Sequence, residues 1–255
     1  MNFILDDVVQ ILFSGLLPFL RISALMLAAP LVSLAVVNVR IRLSISILLT
    51  IFIYPSLDLP AINPISIVGL TLIVSELIIG LLFAVTLQVV NGALIVAGQF
   101  ISMSMGLGMA QTIDPNATQV PVISSFLVVL STLVFLSIGG HLILITIILE
   151  SFAVLPINGE IIFQDTIWGF VEWTAMVFLG AVLVALPIVL IMLLVNLCIG
   201  IVTRAAPALN IFAVGFPAMV LIGLLLLIAF MVNISQRIQW LWMRAFETAQ
   251  AIWVL

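Results

Sequence analysis

Residues Val177–Val195 read VFLGAVLVALPIVLIMLLV and contain no charged or hydrogen-bonding side chain. A helix needs roughly 20 apolar residues to cross the hydrocarbon core of a bilayer, and this stretch has about that length. A strand of a transmembrane β-barrel would instead alternate between a lipid face and a polar interior. Because the stretch is apolar on every face, it predicts a transmembrane helix and excludes a barrel strand.

The rest of the chain has the same character. Of its 255 residues, 65% are hydrophobic and 6% are charged, whereas an ordinary soluble domain is about 25% charged. Four windows, each longer than 30 residues, contain no Asp, Glu, Lys or Arg: 77–113, 115–149, 173–203 and 205–236. The chain is therefore predicted to be an integral membrane protein. Its 6 basic residues and net charge of −4 offer no basic face for nucleic acid.

The predicted fold class is all-α and polytopic, with about six long, kinked apolar helices and a re-entrant or plug-forming loop. The third of these helices can continue through Asn91–Ala110. Pro187 is expected to kink the fifth helix. Trp240, Trp242 and Trp253 suit a C-terminal tail that lies at the membrane interface. The six helices are expected at about Val8–Ala35, Leu43–Ser56, Ile65–Val90, Val122–Leu149, Ile167–Val202 and Ala218–Arg237.

Six plain crossings conflict with the charges. The positive-inside rule places the Arg40 and Arg42 loop in the cytosol and the acidic N-terminus outside, so six crossings put the C-terminus outside too. Arg237 and Arg244 favour a C-terminus inside. One segment that enters and leaves the same side would resolve the conflict. Irregular segments survive in a membrane only where protein covers them, so this reading predicts partner subunits.

Residues for catalysis or metal binding are scarce. The chain has one cysteine, Cys198, and one histidine, His141, so neither an intrachain disulfide nor a zinc or haem cluster is expected. No Ser/His/Asp or Cys/His arrangement, paired carboxylates or glycine-rich nucleotide loop is present. We therefore expect no enzyme activity, no metal and no cofactor.

Three isolated polar residues lie in apolar helices. Arg21 is expected to face protein or water, as a structurally paired cation or as part of a conduit, because a central arginine costs roughly 2.5–3.5 kcal/mol in lipid. Glu76 can pair with Arg21, contact another chain or titrate in a proton path. His141 follows two glycines and is expected to be a hydrogen-bonded packing residue more often than a ligand or proton switch.

The most distinctive segment is Gly98–Pro115, GQFISMSMGLGMAQTIDP. Its small residues recur every four positions, a stripe that lets membrane helices approach closely. Clustered methionines and two glycines also make it soft and bendable, which suits a hydrophobic constriction. Two readings stay open on these grounds: a pore-closing segment, and a tight helix interface that ends at a turn.

The pattern of residues in this segment and further along the chain resembles the FliR family of flagellar biosynthetic proteins over about residues 90–220. Ala208 departs from the family, which commonly has Gln there. The matching positions are Gly98-Gln99, Ser102-Met103-Ser104-Met105-Gly106, Ala110, Asp114-Pro115, Gly140-His141, Ser151-Phe152, Leu155-Pro156, Gly200-Ile201, Arg204-Ala205-Ala206-Pro207, Asn210, Phe212 and Gly215-Phe216-Pro217.

The resemblance implies a non-enzymatic subunit of the type III export gate, one copy per gate, assembled with P and Q subunits and joined by a B subunit. Unfolded rod, hook and filament proteins would pass through it at the flagellar basal body in the bacterial inner membrane. The whole chain, 1–255, would be one membrane-embedded subunit in contact with lipid and basal-body proteins, and residues 98–122 would form a helix end and pore plug.

The resemblance also implies roles for named residues, with Met105, Leu107 and Met109 as the apolar seal. The expected plug comprises Met105, Gly106, Leu107, Gly108, Met109, Ala110, Asp114 and Pro115. Subunit packing or hinge positions are expected at Arg21, Glu76, Gly98, Gln99, Ser102, His141, Arg204, Pro207, Asn210, Phe212, Gly215, Phe216 and Pro217. The alternative function is a small-solute or proton-coupled transporter, in which Arg21, Glu76 and His141 would form the polar pocket within the membrane.

Overall fold

The computed structural model describes residues 2–29, 38–57, 66–108, 121–157, 163–205 and 215–251. Every regular element in these ranges is helical, as the apolar runs predict. A short 3₁₀ turn, Tyr54–Ser56, follows the second helix. The α-helices are α1 Asn2–Ala28, α2 Val39–Ile53, α3 Ile67–Ser104, α4 Val122–Ser137, α5 Gly140–Val154, α6 Phe163–Thr174, α7 Met176–Ala205, α8 Phe216–Ala229 and α9 Met231–Ala251.

The chain divides into two compact units. The first comprises Met1–Val89, Gly139–Thr174 and Arg244–Leu255, and the second comprises Val90–Ile138 and Ala175–Met243. Each has its own core of fully buried aliphatic side chains: Leu17, Ile22 and Ile79 in the first unit, and Leu94, Ile101, Leu127 and Ile188 in the second.

The helices have the length and hydropathy of a polytopic membrane protein. Among the described residues, 4 helices are long and apolar enough to cross a bilayer, and the count rises to 6 if each of two bent helix pairs is one span. The four are Val9–Ala28, Val39–Ser56, Ile67–Ser104 and Trp168–Ala205. The predicted all-α membrane class is therefore correct.

Three of the six predicted helices are not single helices: two are bent pairs, and the third, expected at Ile167–Val202, is interrupted at Ala175 between α6 and α7, which together count as the span Trp168–Ala205. The expected helix Val122–Leu149 is the pair α4 and α5, bent by 70°. Gly139 causes this break, because its φ of 70° lies in the left-handed region while its carbonyl accepts from the N–H of Leu142 to start α5. Apolar residues continue on both sides of the glycine, so the length of the run did not reveal the break.

The last predicted helix, Ala218–Arg237, is likewise a pair. Helix α8 ends at Ala229, and α9 begins at Met231 after a bend of 62°. The bend coincides with a change of pattern, since α8 is apolar on all faces whereas α9 is amphipathic. The prediction from the length of the apolar run again joined two helices into one, because they differ only in the periodicity of their apolar residues.

Trp242 was expected in an interfacial tail, and that expectation is wrong. Its side chain is fully buried in the second unit, where the indole N–H donates to Ser131 Oγ at 2.9 Å. Its ring also meets Phe135 edge-on, with 4.8 Å between centroids. A buried hydrogen-bond acceptor thus replaces the interfacial water that such a ring otherwise needs. Trp253 lies outside the described residues.

Candidate functional site

The first polar centre is a buried ion pair in the first unit. Arg21 and Glu76 are 0% and 1% exposed. The guanidinium donates through Nε to Glu76 Oε2 at 2.6 Å and through Nη2 to Oε1 at 2.9 Å. Such a two-point pair is the strongest geometry available to an arginine and a carboxylate.

The same guanidinium also closes the C-terminal end of α5. Its Nη1 donates to the carbonyl of Ser151 at 3.1 Å and to the hydroxyl of Ser151 at 3.2 Å, and its Nη2 donates to the carbonyl of Leu155 at 2.9 Å. The last carbonyls of a helix lack partners within the helix and carry partial negative charge, so a cation there is favourable. The ring of Phe152 lies 4.3 Å from the guanidinium carbon, a cation–π contact.

Small residues let the backbones approach at this pair. A Cβ on Gly80, one turn after Glu76, would collide with the carbonyl oxygen of Arg21. Only glycine therefore fits where α3 crosses α1 in the first unit. Of the alternatives weighed for Glu76, the structure contains the pair with Arg21, and the cluster ties α1, α3 and α5 together.

The second centre is the end of α3 in the second unit. The N–H of Gly106 bonds to the Met103 carbonyl and the N–H of Leu107 to the Ser102 carbonyl, both at 3.0 Å. With Gly106 at φ 80°, this is the Schellman arrangement that stops a helix on a left-handed glycine. The predicted flexibility of Gly106 thus has a definite use, because it ends the helix at the start of the expected plug.

Met105 is fully buried where the expected plug begins. A Cβ on Gly223 would meet Met105 Cγ at 2.5 Å and Cε at 2.6 Å, so the thioether occupies the space that the missing side chain leaves on α8. Gly106 lies beside Phe216 and Met219 of the same helix. Two segments that carry the family resemblance, far apart in sequence, therefore meet at the end of α3.

The small-residue stripe of α3 forms the expected close interface. A Cβ on Gly98 would collide with the backbone of Ser124 at the start of α4. The hydroxyl of Ser124 donates back to the Ile95 carbonyl at 2.8 Å, which joins the two helices. Ser102 is also buried, and its hydroxyl has no partner within the described residues. The segment thus forms a close helix interface. This interface does not conflict with a plug that begins after the end of α3.

The remaining predicted residues are scattered. His141 is exposed in the first turn of α5, directly after the bend, so a role in subunit packing or as part of a hinge stays a prediction. Gln99 is half-buried, Arg204 is exposed in the last turn of α7, and Gly215-Phe216-Pro217 starts α8. Met109, Ala110, Asp114, Pro115, Pro207, Asn210 and Phe212 lie outside the described residues.

Two residues that hold the end of α3 were missed. Asn196 of α7 donates through Nδ2 to the carbonyl of Ser104 at 3.1 Å, which satisfies an acceptor that the helix end leaves open. Its polar side chain inside the charge-free window 173–203 was a usable signal. Gly223 stands in an apolar run and has no such signal, because only its contact with Met105 distinguishes it.

Comparison with known proteins identifies matches over most of the chain. The family model for bacterial export proteins, family 1, matches residues 12–245. Flagellar biosynthetic protein FliR of Escherichia coli (strain K12) is 34% identical over 215 residues, 84% of this chain and 82% of the relative. The proteins of the same name from Aquifex aeolicus (strain VF5) and Bacillus subtilis (strain 168) are 31% and 29% identical, covering 86% and 89% of this chain and 85% and 89% of the relative.

Proposed function

The chain belongs to family 1 of the bacterial export proteins, and from that membership we propose that it is a subunit of the flagellar type III protein export gate. In this role it helps to form and seal the channel through which unfolded rod, hook and filament proteins cross the inner membrane. Its relatives are flagellar biosynthetic proteins, which supports the flagellar assignment over a virulence system.

We further propose that P, Q and B subunits surround the chain, at the basal body in the inner membrane. The two bent helix pairs support this, because a broken or returning segment needs protein or water rather than lipid around its open backbone groups. The first unit and the second unit each have their own core, so the exposed apolar faces of α2 and α7 are left for lipid and neighbouring subunits.

Residues 98–122 are proposed to supply the plug. The observation that carries this is the fixed point at the end of α3, where Met105 fills the space beside Gly223 and Gly106 turns the chain. An apolar segment that leaves a rigid anchor is held in one place and can close a pore by contact and dewetting. Met105 was expected to belong to the seal, but its side chain is fully buried beside Gly223, so it acts as the anchor, and Leu107 and Met109 remain the proposed seal.

Two glycines two residues apart provide a matched test. Gly106→Ala is strained because φ is 80°, a conformation that costs an L-residue about 1–2 kcal/mol, whereas a Cβ on Gly108 meets Met103 Cγ at an ordinary 3.6 Å. We expect G106A to raise ion leak through the assembled gate or to lower secretion of hook protein. G108A should remain close to wild type in both.

The readouts are membrane conductance and hook-protein export in cells whose gate complex has been shown to assemble. Unchanged leak and export for G106A in an assembled complex would remove the plug from the proposal. The transporter alternative is not favoured, because Arg21 and Glu76 neutralise each other in a buried pair and the relatives are flagellar proteins.

A further inference from the structure

A cavity in the second unit has a polar wall and an apolar wall. It has a volume of about 280 Å³ and lies between the middle of α7 and the start of α9. Leu183 and Pro187 line it from α7, Phe230 lines it from the bend between α8 and α9, and Ile234 lines it from the start of α9. These four side chains make an apolar surface that the chain itself does not fill.

Asn233 and Arg237 form the polar wall. They are spaced four residues apart on α9, so both point from the same face of that helix into the cavity. Both are exposed, and within the described part of the chain neither has a hydrogen-bond partner. Among the residues that the structure describes, none with an acidic side chain lines the cavity. The wall therefore presents one full positive charge and an amide without a counter-ion.

We propose that this cavity binds one membrane phospholipid, with its phosphate on Arg237 and Asn233 and an acyl chain along the apolar wall. The arginine fork matches phosphate in two-point geometry, and the amide of Asn233 adds a further donor. Basic pockets between membrane helices are suited to lipid head groups. The joint presence of a cation, an amide and an apolar wall fits the phosphate and acyl chain of a phospholipid.

The test compares phospholipid retention in the gate complex, extracted in mild detergent from its own membranes. Native mass spectrometry counts bound phospholipid for wild type, Arg237→Gln and Arg237→Lys during titration with phosphatidylglycerol. Arg40→Gln is the matched control, because Arg40 is also exposed but lies on α2 in the first unit. We expect R237Q to weaken binding of one phospholipid about tenfold, R237K to weaken it less, and R40Q to leave it unchanged.

A variant that keeps the charge separates lipid binding from assembly. Leu186 lines the same cavity and is exposed, so Leu186→Trp fills space without removing Arg237. We expect L186W to lose the same phospholipid as R237Q. Equal retention in wild type and R237Q would overturn the proposal. It would also be overturned if R237Q kept its phospholipid and instead released a partner subunit, because the charge would then face protein.

Discussion

Arg21 uses all of its hydrogen-bonding capacity inside the first unit. A guanidinium has five N–H groups, and five hydrogen bonds run from it to Glu76, Ser151 and Leu155. Burying a charge is tolerable only when it is paired and bonded in this way. Arg21, which was a candidate for lining a conduit, therefore holds three helices together instead.

Glu76→Gln should destabilise the chain strongly. The substitution leaves Arg21 buried without a counter-charge, and breaking one side of a buried ion pair costs about 3–5 kcal/mol. Glu247→Gln is the matched control, because Glu247 pairs with Arg244 at 3.2 Å but is 60% exposed, where such pairs contribute little. The measurement is the thermal unfolding midpoint in detergent, and equal midpoints for the two variants would contradict this role of the pair.

Exchanging the two charges refines the same experiment. The double variant Arg21→Glu with Glu76→Arg restores the pair. Part of the fall in unfolding midpoint caused by either single substitution should therefore be recovered. Recovery should be partial, because a carboxylate at 21 cannot donate to the carbonyls of Ser151 and Leu155. Full recovery would mean that those carbonyl bonds add nothing, and no recovery would mean that the pairing itself is unimportant.

At the level of elements, the contact between α3 and α4 depends on one missing side chain. Gly98→Ala places a methyl group against the backbone of Ser124, which cannot move as a side-chain end could. Overpacking of this kind typically costs about 1–3 kcal/mol. Gly200→Ala in α7 is the control, since a Cβ there meets nothing within 4 Å and alanine favours a helix. We expect G98A to lower the unfolding midpoint and G200A to maintain or raise it; the opposite order would refute the contact.

Element positions could be predicted where hydropathy alone decides them. The long apolar runs located α3 and α7, and the possible continuation of the third helix is seen as far as Ser104. The two bends were missed because apolar residues continue through Gly139 and Phe230. The glycine pair Gly139-Gly140 indicated a possible break, but the length of the apolar run around it favoured a single helix. The bend at Phe230 is marked only by the amphipathic pattern of α9.

The candidate site was predictable only in part, for a related reason. The stripe through Gly98 follows from residue type and spacing, so sequence could locate it. The helix end was not located, because the third helix was expected to be able to continue through Ala110 and instead stops on the left-handed Gly106. The fit of Met105 against Gly223 depends on two helices meeting across more than a hundred residues of chain, and no local pattern encodes that meeting. Burial of Trp242 likewise depends on an acceptor, Ser131, contributed by another helix.

For the whole molecule, the bent pairs bear on the conflict in orientation. Four full-length helices together with one crossing pair make an odd number of crossings, and the second pair would then return to the side it entered. An odd number puts the acidic N-terminus outside and Arg237 and Arg244 inside, as the positive-inside rule favours. A returning pair needs protein around it, which supports the proposed assembly with partner subunits.

The most direct test of that assembly is the mass and composition of the complex that contains this chain, extracted in mild detergent from its own cells. We expect a particle of several hundred kilodaltons with one copy of this chain and several other small hydrophobic subunits. A folded monomer or a small homo-oligomer would contradict the export-gate assignment.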